Sequence, residues 1–232
     1  MTVPTTAPRS FLSEFRWHLQ RERALIALFD LGRQKGAGLR LAKLYAFGVF
    51  AGYALAIALT RGSGQKAAIH GFVRTALVSL SWVVGSLAAL GSAQSLAQQP
   101  DGDALSVLAV QRGFTQASLF RARTWAATAR VARLVGIPAL LLVAVGVARG
   151  ASPSWALAVV PAVVVYAGAL AFVLACLAHF SAALSPRHPR ALLALFVVGP
   201  LLLSLANPSY PSLPRLFSGL LSQLLSAGAA LS

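Results

Sequence analysis

Apolar residues in this chain gather into long blocks, and charge interrupts them only at their margins. Between Leu134 and Pro186 the only charged residue is Arg149, and the stretch from Ala191 to Pro214 carries none. A bilayer-spanning helix needs about 20 mostly apolar residues. Lipid offers no partner for a free backbone N–H or C=O, so such blocks must be helical. The blocks predict an all-α, polytopic membrane bundle of five to six spans. Five are expected at about 44–60, 75–97, 131–148, 155–183 and 191–206, with 213–232 as a sixth span or an interfacial helix. In that last stretch Ser218, Ser222 and Ser226 recur every four residues on one face, which also suits a helix lying in the membrane surface.

Ahead of the first span, residues 1–43 read as a cytoplasmic tail and an amphipathic interfacial helix, and 44–232 as the membrane domain. Ser10 is a candidate N-cap. Leu12, Phe15 and Leu19 then recur at helical spacing, with Arg16, Arg21 and Arg23 among and beyond them, and Ile26 and Phe29 continue the apolar face. The alternative is a solvated helix packed on a partner. Three glycines in LGRQKGAG break the pattern before Arg40 and Lys43 lead to the bilayer.

Charge sets the orientation. The net charge is +15, with 57% hydrophobic and 11% charged residues, and the mean hydropathy is +0.73. In a soluble domain this excess would point to nucleic acid. In a membrane chain Lys and Arg collect on the cytoplasmic side, where they meet anionic lipid, so membrane lipids and not nucleic acid are the expected partners. Fifteen of the basic residues fall in the N-terminal 43 residues, the segment from 98 to 133 and the turn SPRHPR. The other five, Arg61, Lys66, Arg74, Arg149 and Arg215, are assigned to the opposite side. The N-terminus is therefore expected inside a bacterial-type inner membrane.

The chemistry available within the spans is sparse. All five acids, Glu14, Glu22, Asp30, Asp101 and Asp103, lie in segments expected to be cytoplasmic, which weakens a proton- or sodium-driven mechanism. His18, His70, His179 and His188 are dispersed without metal-ligand spacing, and His179 reads as a structural histidine. GSGQKA lacks the spacing and the following Ser or Thr of a phosphate-binding loop, and the lone Cys176 builds neither a disulfide nor a cluster. No catalytic or metal site and no bound cofactor are expected, so the chain is not expected to be an enzyme. Energy for uphill movement would come from a partner.

Three constellations remain. Ser81, Gly85, Ala88, Ser92 and Ser95 share one face of the second span, either lining a passage or packing helices. Gly48, Gly52 and Ala56 form a small-residue stripe on the first span, either a subunit interface or internal packing. Between the second and third spans, Pro100, Asp101 and Gly102 make a turn and Asp103 can cap a short helix whose apolar side would be Leu105, Leu108 and Val110. Arg112 and Gly113 end that helix, and Thr115 can cap the next. A short helix held between two spans can carry movement, although it also reads as a solvated connector.

The run GDALSVLAVQRGFTQASLFRARTWA, Gly102 to Ala126, resembles the segment of ABC-2 type permeases in which a Gly-containing turn precedes a Leu-rich coupling helix, a break and a helix entering the third span. The basic amphipathic N-terminus, the short outer loops and the number of spans are similar too. The resemblance implies the membrane half of an ATP-driven exporter, paired with a second permease copy or homologue and with cytoplasmic ABC ATPase subunits that hold ATP and Mg. Asp101, Gly102, Asp103, Leu105, Leu108, Arg112 and Gly113 would form the docking element, with Leu105 and Leu108 entering the ATPase and Arg112 at its rim. The weakly charged spans favour an amphipathic or lipid-linked cargo. The alternative is a non-transporting anchor or scaffold subunit of a larger membrane complex.

Overall fold

The computed structural model of the chain describes residues 20–27, 29, 37–97, 104–207 and 213–230. Among them there are helices and turns and no strands. In chain order they are α1 (20–27), α2 (Ala37–Leu59), α3 (Gln65–Ser79), which runs through a π-turn at Leu80–Val84 into α4 (Gly85–Ala97), α5 (Ala104–Gln111), α6 (Gln116–Ala148), α7 (Pro153–Leu184), α8 (Pro189–Ala206) and α9 (Leu213–Ala230). Among the described residues four helices are long and apolar enough to cross a bilayer: Ala37–Leu59, Gln65–Ala93, Gln116–Ala148 and Pro153–Leu184. The chain is a membrane-embedded protein whose described residues are helices and the turns that join them.

Helix ends follow local chemistry. Ser152 caps α7 by accepting from the Trp155 N–H at 3.3 Å, with Pro153 at the first turn, a position where its missing N–H costs nothing. α6 ends in a Schellman turn. Gly150, at φ +99°, lets its own N–H reach the Val147 carbonyl and the Ala151 N–H reach that of Gly146, both at 3.0 Å. The turn is tied to its neighbours: Arg149 donates to the Ala58 carbonyl at the end of α2 (2.7 Å), and Gln65 at the start of α3 donates to the Arg149 carbonyl (2.6 Å). His70 and Trp155 stack beside it at 4.4 Å.

α7 is the central helix, packed against α6, α4, α8 and α9. Tyr166, Leu170 and Leu174 are buried against Leu80, Val84 and Ala88 of the π-turn and α4 and Val135 and Leu142 of α6. α2 and α4 approach closely where Gly38 meets Gly91: a Cβ on Gly38 would lie 3.3 Å from the Leu87 carbonyl oxygen and 3.4 Å from the Gly91 Cα. At 33 residues, α6 is about 50 Å long and exceeds the hydrocarbon thickness. Its Gln116 end therefore projects, and α1 and α5 pack on that projection.

Several boundaries differ from the sequence reading. α2 begins at Ala37 and not at residue 44, taking Arg40 and Lys43 into the helix. α3 begins at Gln65, so that Arg74, assigned above to an outer loop, lies inside a candidate span that starts ten residues before the expected 75. The physical reason is the same in both places: charge marks where hydropathy falls, but a helix stops only where capping or glycine makes it stop. Gly62 (φ +105°) and the turn before Gln65 provide that stop. The remaining helices, 153–184, 189–206 and 213–230, match the expected positions to within about two residues.

Candidate functional site

α5 is short because its sequence ends it firmly. Gly113 sits at φ +79°, the Gly113 N–H donates to the Val110 carbonyl (2.9 Å), and the Phe114 N–H donates to that of Ala109 (3.0 Å), a Schellman turn like the one closing α6. Two residues on, the Thr115 hydroxyl accepts from the Ser118 N–H (3.2 Å) and starts α6. Little freedom is left between the two helices. α5 is thereby held at a fixed angle to a long membrane helix.

The side that the spacing proposed as apolar faces outward at Leu108 and Val110, and another side makes the internal contact. Ala109, at 6% exposure, is the buried contact, packed with Leu25 and Phe29 of the α1 segment and with Leu119, Ala122 and Ala126 of α6. Leu108 is 54% exposed, and Val107 and Val110 are exposed beside it. Three aliphatic side chains on one eight-residue helix are thus exposed. Asp101, Gly102 and Asp103 lie outside the described residues, as does the side chain of Leu105.

α1 braces α5. Arg21 donates to the Arg112 carbonyl (2.6 Å) and stacks its guanidinium over Phe114 (4.4 Å), while Glu22 pairs with Arg121 of α6 (3.1 Å). Leu25, Phe29, Leu108 and Phe114, with Arg21 and Arg112 at the rim, line a cavity of about 380 Å³ between α1 and α5. The Arg112 guanidinium is exposed. The contribution of α1 escaped the sequence reading, although the spacing of Leu25 and Phe29, four residues apart, carried the signal. The residues of the proposed interfacial face before Gln20, and the cap at Ser10, lie outside the described residues.

The small-residue face of the second span is closed. Ser81, Gly85, Ala88 and Ser92 are all buried, and the two hydroxyls donate to their own helix, Ser81 to the Leu77 carbonyl (2.6 Å) and Ser92 to that of Ala88 (2.9 Å). A Cβ on Gly85 would come within 3.0 Å of Leu174 Cδ1. This face packs helices. Ser95 lies on the same helix, its side chain outside the described residues. The stripe on α2 is open: Gly48 and Gly52 are exposed, a Cβ on either meets nothing within 4 Å, and with Tyr45, Tyr53 and Ala56 they line a trough of about 520 Å³.

His179, near the end of α7, is buried, with Nδ1 3.4 Å from the Thr124 hydroxyl and 3.3 Å from the Ala175 carbonyl and with Phe120 edge-on at 4.7 Å. It ties α6 to α7. Among the described residues no three His, Cys, Asp or Glu side chains gather where they could share a metal ion. No protein-family model matches the chain, and neither a curated protein nor a solved structure is detectably similar to it.

Proposed function

We propose that the chain is the membrane-spanning permease subunit of an ABC-type exporter, with α5 as the element that couples it to a separate cytoplasmic ATPase. The observation that carries this reading is a helix of eight residues, fixed between the second and third spans by a glycine turn and a threonine cap, that holds Val107, Leu108 and Val110 out to solvent. Exposed aliphatic clusters on a short rigid helix are costly in isolation and favour a partner groove. Arg112 at its end suits an acidic rim. Motion of the ATPase would pass through α5 into α6, to which the glycine turn and the threonine cap join it.

In this reading the basic end of the bundle, with α1, α5 and the turn at residues 185–188, faces the cytoplasm of a bacterial inner membrane, and α8 and α9 complete five or six spans. The ATP and Mg belong to the partner, and the chain itself catalyses nothing. A second permease copy packs on the open Gly48, Gly52 and Ala56 face of α2, where small residues let helices approach closely. The cargo is amphipathic or lipid-linked.

The test is gentle detergent extraction of the tagged chain from its native membrane, with Leu105→Arg plus Leu108→Arg as the comparison. The expected result is a stoichiometric Walker-motif ATPase that copurifies with the native chain and is lost, at least tenfold, from the double variant, while membrane insertion is unchanged. Complex formation that ignores both substitutions would sink the coupling role. A large stoichiometric assembly with no ATPase in it would favour the scaffold reading.

A further inference from the structure

Arg74 stands level with the middle of the apolar parts of α2 and α6. Two contacts set its level against α2: Tyr45 reaches Ser79, with hydroxyls 3.4 Å apart, and the rings of Tyr53 and Phe72 lie 6.2 Å apart. Arg74 falls between those levels, opposite the centre of the apolar stretch that Lys43 and Arg61 bracket. α6 gives the same depth independently. Gly146 packs on Ile69 and Val131 lies beside Gly85, which puts Arg74 level with about residue 141, midway between Arg133 and Arg149. At about 1.5 Å per residue, each charged end is roughly 12 Å away.

A guanidinium at that depth is expensive and by default marks a functional site. Arg74 is exposed on the surface of the chain, and its terminal nitrogen donates to the Ser222 hydroxyl of α9 at 3.1 Å. Around this pair the surface is notched: Gly71, one turn before Arg74, and Gly219, one turn before Ser222, are both exposed, and a Cβ on either would meet nothing within 4 Å. Thr75 turns its hydroxyl back to the Gly71 carbonyl (2.9 Å). A hydroxyl neutralises no charge. All five acids of the sequence lie outside the four candidate spans, so neither this chain nor a second copy can bring a carboxylate to the notch from a span.

We propose that Arg74, with Ser222, binds the anionic head of an amphiphile within the membrane, an oxyanion such as phosphate carried on a hydrocarbon chain. Arg presents a planar fork of donors that matches such oxygens. The two glycines leave room for the head, and the lipid-facing opening admits the chain attached to it. Free phosphate would have to cross about 12 Å of apolar surface from either charged end to reach this notch. This assignment rests on the permease reading and narrows its cargo to anionic amphiphiles.

The experiment uses the full chain in phosphatidylcholine nanodiscs, without any ATPase, and titrates a pyrene-labelled long-chain alkyl phosphate against the matched alkyl phosphocholine, with inorganic phosphate as competitor. The expected result is roughly tenfold or greater preference for the alkyl phosphate, the scale of one charge-assisted hydrogen bond, abolished in Arg74→Gln, retained in part by Arg74→Lys, unchanged in Arg61→Gln and insensitive to inorganic phosphate. Equal binding of the two amphiphiles, undiminished phosphate binding by a well-folded Arg74→Gln, or displacement by millimolar inorganic phosphate would each overturn it. Because no ATPase is present, failure here leaves the α5 coupling test standing, and loss of ATPase capture leaves this binding to be scored by itself.

Discussion

Two stripes of small residues run along neighbouring helices of this bundle and meet opposite fates. On the π-turn and α4, Ser81, Gly85, Ala88 and Ser92 are buried, and the helix lies so close to its neighbours that a Cβ added at Gly85 would sit 3.0 Å from the Leu174 Cδ1. On α2, Gly48 and Gly52 are exposed, and a Cβ added at either would meet nothing within 4 Å. Composition does not separate them, since both offer the low profile that lets helices approach in lipid, where no hydrophobic force drives helix to helix. What differs is geometry. α7 runs through the middle of the bundle and takes up one stripe, whereas α2 stands at the edge and docks with a different glycine, Gly38 against Gly91. A small-residue stripe predicts close packing, and only the fold says against what.

The largest effect should come from filling the closed contact. In Gly38→Leu the first added carbon already lies 3.3 Å from a backbone oxygen and 3.4 Å from a backbone carbon, neither of which can swing aside, so α2 must lift from α4. Overpacking of this kind costs about 1–3 kcal/mol, expected as a clear drop in the unfolding temperature of the purified chain in detergent. An unchanged transition would mean that α2 does not dock where Gly38 meets Gly91.

The opposite outcome is expected on the open stripe. Gly48→Ile with Gly52→Ile adds bulk into empty space, and Ile is a better helix former than Gly, so the unfolding temperature of the single chain should hold or rise slightly. Self-association in the membrane should weaken by about tenfold, equivalent to about 1.4 kcal/mol, as read by single-molecule photobleaching in bilayers. Undisturbed association would remove α2 as the seat of the second copy.

Legibility from sequence followed the same division between local and non-local causes. The helical membrane class was plain in the apolar blocks, and the turn that ends α5 was readable because its chemistry is local: Gly113 adopts a positive φ, and Thr115 caps the next helix. The buried side of α5 was not readable. Leu108 and Val110 are the more apolar residues, yet Ala109 faces the core, because what packs there is Phe29, about eighty residues away in the chain. Arg74 was misplaced for a related reason. Its charge marks an edge in a hydropathy window, while the helix containing it runs on from a turn whose glycines, Gly62 and Gly64, lie twelve and ten residues earlier, and its level along the bundle is given by Tyr45, Tyr53 and Gly146 on other helices.

The smallest effect tests why the closed stripe packs at all. Ser81 and Ser92 are buried, and both hydroxyls are already satisfied by the carbonyl one turn back on their own helix, a bond that contributes little to holding neighbours together. If the stripe acts through size, Ser81→Ala and Ser92→Ala each keep the close approach and lose a hydroxyl that is bonded to its own helix, expected to shift stability by less than about 1 kcal/mol. Adding one methyl at the first site, Ser81→Thr, is then expected to cost more than removing its hydroxyl. Were the alanine variants instead to destabilise the chain strongly, hydroxyl chemistry at this face, and not its low profile, would be what the bundle requires.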